Sequence, residues 1–314
     1  MTEMNNDKNT NSCNIAAIDI GSNAARLLIK SVVRQEDGSL YSQKQQFVRF
    51  PLRLGLDVFR SGKISETREG QFKRMMKAFR QLMIIYDVAS YRACATSALR
   101  DAENGKKIIK DIRKDVGISI EIISGEEEAD IIYNNHIERL LAMSANGEGK
   151  DMSYLYVDVG GGSTEVSFIA DGALKASHSF NVGTLRLLGG TVDDSDIDAM
   201  CQEVKTFLQE GKGCTIIGSG GNINKLFRLV PKKQRLKERI TVAQLEKLYK
   251  NLSSLTLEQR MHEYDLRADR ADVIVPAAHI FLCIADAVSA TDIIVPTIGL
   301  SDGIINELAV KLMD

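Results

Sequence analysis

The sequence predicts an α/β protein built as two similar halves, and three observations carry that reading. At 314 residues the chain can bury a sizeable core and has the length of two ordinary domains. The order β-hairpin, strand, helix, strand, helix occurs twice along it. Each half also opens on the same device, an apolar run, a Gly-rich turn and a second β-prone run. The first turn is Asp19-Ile20-Gly21-Ser22-Asn23 and the second is Asp158-Val159-Gly160-Gly161-Gly162-Ser163-Thr164-Glu165.

In the first half, Ile15–Ile20, Arg26–Val33 and Leu40–Phe47 read as strands. Ser65 to Tyr86 has helical spacing, with Phe72, Met75, Met76, Phe79, Leu82 and Met83 on one face. Tyr91–Ala95 is a short strand, Gly105–Val116 a basic helix and Ile118–Ile123 a strand. Ser124 starts a helix expected to reach about Met143. Ala145 to Asp151 is polar, carries two glycines and reads as the loop between the halves. In the second half, Tyr154–Val157, Thr164–Ala170 and Ala173–Phe180 form a meander. A helix over Ile197–Gln209, a strand at Thr215–Ile217, helices over Val242–Leu252 and Ala271–Val288, and a strand at Ile293–Val295 follow. Gly299 to Gly303 reads as a turn before a closing helix, Ile304–Leu312.

Composition excludes several classes of function. Hydrophobic residues make up 44% and charged residues 26%, which is ordinary for a globular protein. Forty Lys and Arg stand against 42 Asp and Glu, so there is no global basic excess and no DNA partner is expected. Five scattered cysteines form no CxxC pair, which suits a reducing cytoplasm. Met1 to Asn11 is polar and has no apolar segment of a signal peptide, so a frayed tail is expected there. The longest apolar run, Val273 to Ile284, contains Pro276 and His279 and is too short to cross a bilayer. It reads as a buried core helix, and no membrane partner is expected. The four histidines show no metal spacing and read as structural.

The two turns carry the chemistry. Glycine admits φ > 0 and lets successive N–H groups face one concavity, which suits phosphate. Gly21, Ser22 and Asn23 in one turn, and Gly160, Gly161, Gly162, Ser163 and Thr164 in the other, are therefore phosphate-binding candidates. Asp19 and Asp158, at the strand ends, can hold a hydrated divalent cation beside that phosphate, Mg²⁺ or another. A lone turn of this kind is usually only a turn; the recurrence of Asp, Gly and a hydroxyl in one order is what makes the pair specific. Gly218-Ser219-Gly220-Gly221-Asn222 is a strand–turn–helix with Asn222 as a candidate N-cap, and its Gly220 and Gly221 can face an anion. In Ser124-Gly125-Glu126-Glu127-Glu128, Ser124 and Glu127 fit a capping box, Glu126 reads as a solvated acid, and Glu128 points elsewhere on the helix. A carboxylate here that reaches across a cleft could act as general base. Arg100 can fork onto phosphate or form a surface pair with Asp101 or Glu103. Lys225 to Arg239 is a basic strip, a solvated face or a steering patch for a polyanion.

The ordered set of motifs resembles a known family. Asp19 to Asn23, Ala95-Thr96-Ser97-Ala98-Leu99-Arg100, Ile123 to Ala129, Asp158 to Glu165 and Gly299 to Gly303 are similar to the exopolyphosphatase/guanosine pentaphosphate phosphohydrolase (Ppx/GppA) family, over about Ile15 to Leu312. The resemblance implies two ribonuclease H-like domains of the actin-like ATPase superfamily flanking a cleft. It implies hydrolysis of terminal phosphate from polyphosphate, pppGpp or both, with a divalent cation. It carries the catalytic glutamate onto Glu128, directly before Ala129, and further catalytic roles onto Glu165 and Arg100. The sequence departs from the family at Ala24, where Ser is usual, and at Asn222, where Thr is frequent. A few extra residues stand around Ala145 to Asp151. Longer members add C-terminal helical domains, one with an HD motif, and this chain stops at Asp314 in the short two-domain form.

The expected division is a disordered tail over 1–14, a first domain of 15–132 joined by 301–314, and a second domain of 133–300. A homodimer is a candidate assembly. Two other functions stay open, an ATP-dependent kinase of the same superfamily and a non-catalytic polyphosphate or alarmone sensor. The intact Glu128, Asp158, Glu165 and Arg100 speak against the sensor.

Overall fold

Ser12–Ile20 (β1) shows why the first sheet forms where it does. From Ile15 onward every side chain of β1 is buried, on both faces, as a central strand requires. Ala25–Arg34 (β2) returns antiparallel to it, and Leu40–Phe50 (β3) pairs antiparallel with β2 as an exposed edge. The other side of β1 is parallel: Val88–Ala95 (β4), then Glu121–Ile122 (β5). The order is β3-β2-β1-β4-β5. This computed structural model describes residues 12–134, 153–208, 214–296 and 299–313.

Between these strands come Leu54–Ser61 (α1), Glu66–Ile85 (α2), Ser97–Asp101 (α3), Gly105–Val116 (α4) and a helix that begins at 125 (α5, described to 134). Ser65 caps α2, its hydroxyl accepting from Arg68 N–H. Phe72, Met75, Met76, Phe79 and Met83 of α2 are buried, as the helical spacing predicts.

The second sheet repeats the plan. Ser153–Val159 (β6), Thr164–Ala170 (β7) and Ala173–Phe180 (β8) form an antiparallel meander. Thr184–Gly189 (α6) and Asp194–Phe207 (α7) lead to Cys214–Ser219 (β9), parallel to β6. Gly220–Leu229 (α8), Arg239–Thr241 (β10), Val242–Ser253 (α9), Leu257–Glu263 (α10), Ala268–Ala271 (α11) and Ile274–Ala287 (α12) follow. Asp292–Ile294 (β11) then pairs parallel to β9, and Leu300–Met313 (α13) closes the described chain. The order is β10-β11-β9-β6-β7-β8. Three antiparallel strands followed by parallel ones, twice, with β10 added antiparallel at the edge of the second sheet, is the ribonuclease H-like arrangement that the resemblance implied.

Among the described residues, three apolar clusters hold the molecule. One fills the outer side of the first sheet around Phe72 and Phe79, and another the outer side of the second around Phe168 and Phe281. The third lies between the sheets. There Ile131 and Ile132 of α5 and Ile304, Ile305 and Ala309 of α13 meet Ile15, Ala17 and Leu28 on one side and Tyr154, Tyr156 and Ile217 on the other. Helix α13 packs on β1, β2 and β4 of the first sheet.

Several elements differ from expectation. Ser12, Cys13 and Asn14, assigned to the tail, pair with β2 and lengthen β1. Of Ile118–Ile123, only Glu121 and Ile122 join the ladder, while Ile118, Ile120 and Ile123 are buried beside it. The segment Ala271–Val288 divides into α11 and α12, with Pro276 in the first turn of α12, where its missing N–H breaks no helical bond. Helix α13 begins at Leu300, so Gly303 is helical; a Cβ there would come 2.7 Å from the Ile131 carbonyl oxygen. Its glycine serves a helix crossing, not a turn. The tail before residue 12, the end of α5 near Met143 and the loop from Ala145 to Asp151 lie outside the described residues.

Arg92 ties the central layer together. Its guanidinium donates to Glu121 at 3.0 Å, Glu127 at 2.6 Å and Glu307 at 2.8 Å, linking β4, β5, α5 and α13. Arg92→Met should cost about 1–3 kcal/mol of unfolding free energy in urea melts, because partly buried carboxylates lose their donor. Glu121→Gln, at a partner 58% exposed, should cost less than about 1 kcal/mol.

Candidate active site

The two hairpin turns meet. Gly21 N–H donates to Ala24 O at 3.1 Å, and Gly160 N–H donates to Ser163 O at 2.9 Å, so both turns close in the same way. A Cβ on Gly161 would stand 3.1 Å from Ser22 Cβ, which sets the second turn directly against the first. Between them opens a cleft of about 710 Å³. Asp19, Gly21, Ser22 and Asn23 line it from the first sheet, and Asp158, Gly160, Gly161, Ser163 and Glu165 from the second. Gly220, Gly221 and Glu128 complete that wall.

The third glycine turn is shaped around Asp158. Gly220 has φ 90°, and a Cβ there would overlap Asp158 Oδ1, so this position needs glycine twice over. Ser219 is the N-cap residue of α8, and its hydroxyl bonds the Asp158 carboxylate. Asn222, the expected N-cap, lies inside the first turn instead. Its amide donates to Val159 O at 3.1 Å and accepts from Arg270 Nη1 at 2.8 Å.

Three candidate residues do not line the cleft. Thr164 is fully buried and donates to Val182 O at 2.6 Å, so it anchors the strand. Gly162 faces Ser97 and Phe59, where a Cβ would collide with both. Arg100 donates to Ile123 O at 3.0 Å and stands 4.0 Å from Asp101. It steadies the approach to α5 from outside the cleft, and its charge is still felt by Glu128 and Glu165.

Adjacent glutamates on α5 part company. Ser124 Oγ accepts from Glu127 N–H at 3.0 Å, but the Glu127 carboxylate turns to Arg92 instead of closing the capping box. Glu128 faces the cleft. Its Oε2 is cut off from solvent and, among the described residues, has no hydrogen-bond partner. Burial pushes the Glu128 carboxyl well above its ordinary range, and the charges of Glu165, Asp158 and Asp19 add to the shift. Burial likewise raises Asp158 to about 6 against the opposing pull of Arg26. Burial and then Asp158 raise Glu165 to about 7, although Ser163 and Ser179 hydroxyls bond it.

Residues 31–312 match the family model of the Ppx/GppA phosphatases. The chain belongs to the Ppx/GppA phosphatase family. It is 27% identical over 282 residues to Exopolyphosphatase 1 of Mycobacterium bovis, covering 84% of this chain and 79% of that one. To the guanosine-5'-triphosphate,3'-diphosphate pyrophosphatase of Vibrio parahaemolyticus it is 26% identical, covering 95% of this chain but 59% of that longer protein. An exopolyphosphatase structure from Cytophaga hutchinsonii shares the fold with TM-score 0.80 at 23% identity, over 95% of this chain and 98% of that one. The Aquifex aeolicus member of the Ppx/GppA family does so with TM-score 0.72 at 24% identity, over 96% and 99%.

Most of the cations that line the cleft lie outside the motifs. Arg26, Lys30, Lys44, Arg49, Arg267 and Arg270 line it beside Lys225 and Arg228. Of the basic strip, only Lys225 and Arg228 reach it. Arg235 folds back onto the Arg228 and Val230 carbonyls, and Arg239 pairs with Asp292 at 2.6 Å. The described histidines lie elsewhere: His178 pairs with Glu203, His279 stacks on Tyr249 and His262 is on α10, while His136 is outside the described residues.

A divalent cation fits the chemistry of the donor set. Hard carboxylate oxygens destabilised by mutual repulsion favour a hard cation. No cluster of three metal-ligating side chains occurs among the described residues. Such an ion would therefore draw ligands from phosphate and water as well as from Asp158. Asp19 departs from the expectation, since its carboxylate is engaged by Arg26.

The raised carboxyls set a pH dependence. Folding favours the protonated forms of Asp158 and Glu165, so their stabilisation is complete below about pH 4 and is lost as pH rises to about 7. In metal-free buffer, Glu165→Gln should therefore melt higher than the parent at pH 8, by on the order of 1–3 kcal/mol. The two melting curves should converge near pH 4.

Proposed function

We propose that this chain hydrolyses the terminal phosphoanhydride of inorganic polyphosphate, of pppGpp, or of both, with Glu128 as general base. The observation that supports this most directly is the orphaned Glu128 oxygen beside two phosphate-type turns. Buried with other carboxylates, Glu128 has a raised proton affinity, which is what a base needs to take a proton from water. The terminal phosphate would sit on the N–H groups of Ser22 and Asn23 and of Gly161 and Ser163, while those of Gly21 and Gly160 close the turns. Water adds to its phosphorus, the proton passes to Glu128, and the bridging P–O bond breaks to leave the shortened chain. Oxyanion charge that develops is met by backbone dipoles and by cleft arginines already in place. Glu165, opposite Asp158 in the β6–β7 register, helps to make this pocket cation-seeking. Asp158 would hold the divalent cation, for which we propose Mg²⁺; when bound, it neutralises phosphate charge.

The relatives named an exopolyphosphatase and a guanosine pentaphosphate pyrophosphatase support both substrates. The packing of α13 on the first sheet supports a first domain of 15–132 with 301–314 and a second of 133–300. The free thiols Cys13, Cys94, Cys201, Cys214 and Cys283 support a cytoplasmic setting. Among the described residues, no helix is long and apolar enough to cross a membrane.

Phosphate release by purified protein with Mg²⁺ tests the reading. Release from polyphosphate or pppGpp is expected, faster than from ATP, and release from neither overturns it. Glu128→Gln should lower turnover on the order of 10²-fold or more, as loss of a general base does. Glu127→Gln should leave turnover nearly intact, since its carboxylate serves Arg92 outside the cleft; the reverse result would move the base to Glu127.

Grip on a long polymer should end near the cleft. Eight basic side chains among the described residues line it, whereas Arg235 and Arg239 of the strip are tied to protein groups. Short polyphosphate or pppGpp should therefore be favoured and long chains shortened distributively, each phosphate contact adding only a salt-screened increment. Gels of partly digested polymer should show the whole size distribution moving down. Persistence of full-length polymer beside free phosphate would contradict this.

A further inference from the structure

The cleft holds a side chain for which an inorganic substrate has no use. Among the described residues that line it, Phe47 of β3 is the only aromatic, and it is 46% exposed. In the β2–β3 register Arg26 stands opposite Arg49, and Leu28 opposite Phe47. Plain alternation would then set Gln45 opposite Lys30. A register shift brings Lys44 there instead. The face that β3 turns to the cleft is therefore Lys44, Phe47 and Arg49, a phenyl ring between two cations.

An exposed phenylalanine on an edge strand is ordinary by itself. Tyr41, 54% exposed on the same strand, lies outside the cleft. Phe47 differs in its surroundings. Arg26 and Lys30 line the wall beside it, and from the second lobe the charge of Arg267 is felt at Arg49. A polyphosphate chain presents only oxygens to such a wall, and a phenyl ring offers them neither charge nor N–H. A nucleobase, in contrast, has an apolar π-face that stacks on an aromatic ring. The distance suits one. Phe47 lies two strands from Asp19 and two residues further from the turn, roughly 12 Å away by sheet spacing. A ribose and a triphosphate cover such a span, so a terminal phosphate on the turns can bring a base to the ring.

We propose that Phe47 is a specificity-determining residue of this cleft, whose ring stacks on the base of a nucleotide substrate and so favours pppGpp over an inorganic chain. This rests on the phosphoanhydride reading above.

Binding of analogues that are not turned over tests it, with guanosine 5'-(β,γ-methylene)triphosphate and methylenediphosphonate titrated separately into the protein in a calorimeter with Mg²⁺ present. The parent should bind the nucleotide analogue more tightly than the diphosphonate. Phe47→Ala should weaken the nucleotide by on the order of tenfold, as loss of a base–aromatic stack does, and leave the diphosphonate within about twofold. Phe47→Leu, which keeps an apolar side chain on the strand and is the variant to use if Phe47→Ala does not fold, should weaken the nucleotide as well. Phe47→Trp, which keeps an aromatic face, should hold it at least as tightly as the parent. In steady state, Phe47→Ala should raise KM for pppGpp by on the order of tenfold with kcat nearly unchanged, because stacking is lost equally from bound substrate and transition state. KM for polyphosphate should stay within about twofold, since that substrate has no base to stack. Equal weakening of nucleotide and diphosphonate in Phe47→Ala, as a scaffold role gives, overturns the assignment, and so does parental nucleotide binding in Phe47→Ala or Phe47→Leu. If these arms fail while the parent still hydrolyses polyphosphate or pppGpp, only the role of Phe47 falls. If the binding arms hold and neither substrate is hydrolysed, only the hydrolytic reading falls.

Discussion

Four carboxylates, Asp19, Glu128, Asp158 and Glu165, converge on one cleft, and the rest of the structure is arranged to tolerate them. Taking like charges out of water is costly, and the raised Asp158, Glu165 and Glu128 carboxyls record that cost. A fold that carries such a cluster must be held shut by contacts elsewhere. Across the cleft margin, Arg49 pairs with Asp269 at 2.6 Å, and Arg53 pairs with Asp272. Asn23 donates to the Asp269 carbonyl at 3.1 Å. Arg186 of α6 lies over the Phe59 ring of α1 at 4.2 Å and donates to Gly162 O at 2.7 Å. Behind the cleft, α5 and α13 fill the layer between the sheets with apolar side chains. The destabilised carboxylates are thus surrounded by stabilising contacts that do not involve them, which is the usual disposition of a functional site within a stable scaffold.

Close backbone approach is the second constraint. The two turns can touch only because side chains are missing where they meet. A Cβ on Gly183 would stand 2.5 Å from the Gly161 oxygen and from Gly162 carbon, and one on Gly162 would strike Ser97. Run together, Gly160, Gly161 and Gly162 do different work. The first closes the turn, the second meets the first lobe's turn, and the third lets Phe59 and Ser97 pack. Only some of this triplet is available to a ligand.

What the sequence disclosed follows from how local each signal is. Hairpins, the α2 face and the order of strands rest on periodicity and turn chemistry, and these appear in the structure nearly as read. Boundaries slipped where pairing or packing decides them: Ser12 to Asn14 join β1 because β2 is long enough to pair with them, and α13 begins at Leu300, with Gly303 inside it where Ile131 leaves no room for a Cβ. Within the site, the turn residues were legible because they are contiguous. Arg49, Arg267 and Arg270 were not, since they come from segments that meet only when the lobes close, and nothing in their own neighbourhoods marks them. Arg26 is the intermediate case. It stands across a tight hairpin from Asp19, so counting back from the turn would have placed it opposite that aspartate.

Glu127 and Glu128 show how little separates scaffold from chemistry. One residue along a helix is about 100° of rotation, enough to send neighbouring carboxylates to different surroundings. At Glu127 the carboxylate meets Arg92, itself joined to Glu121 and Glu307, and becomes part of the clasp between α5, α13 and the first sheet. At Glu128 the same group faces the cleft, where the charges of Glu165, Asp158 and Asp19 outweigh that of Arg100. The rotation of α5 is held by Ile131 and Ile132, buried between the sheets, and that one rotation sends Glu127 to Arg92 and Glu128 to the cleft. A single helix thus supplies one carboxylate to the clasp of the central layer and the next to the role that we propose, activating water.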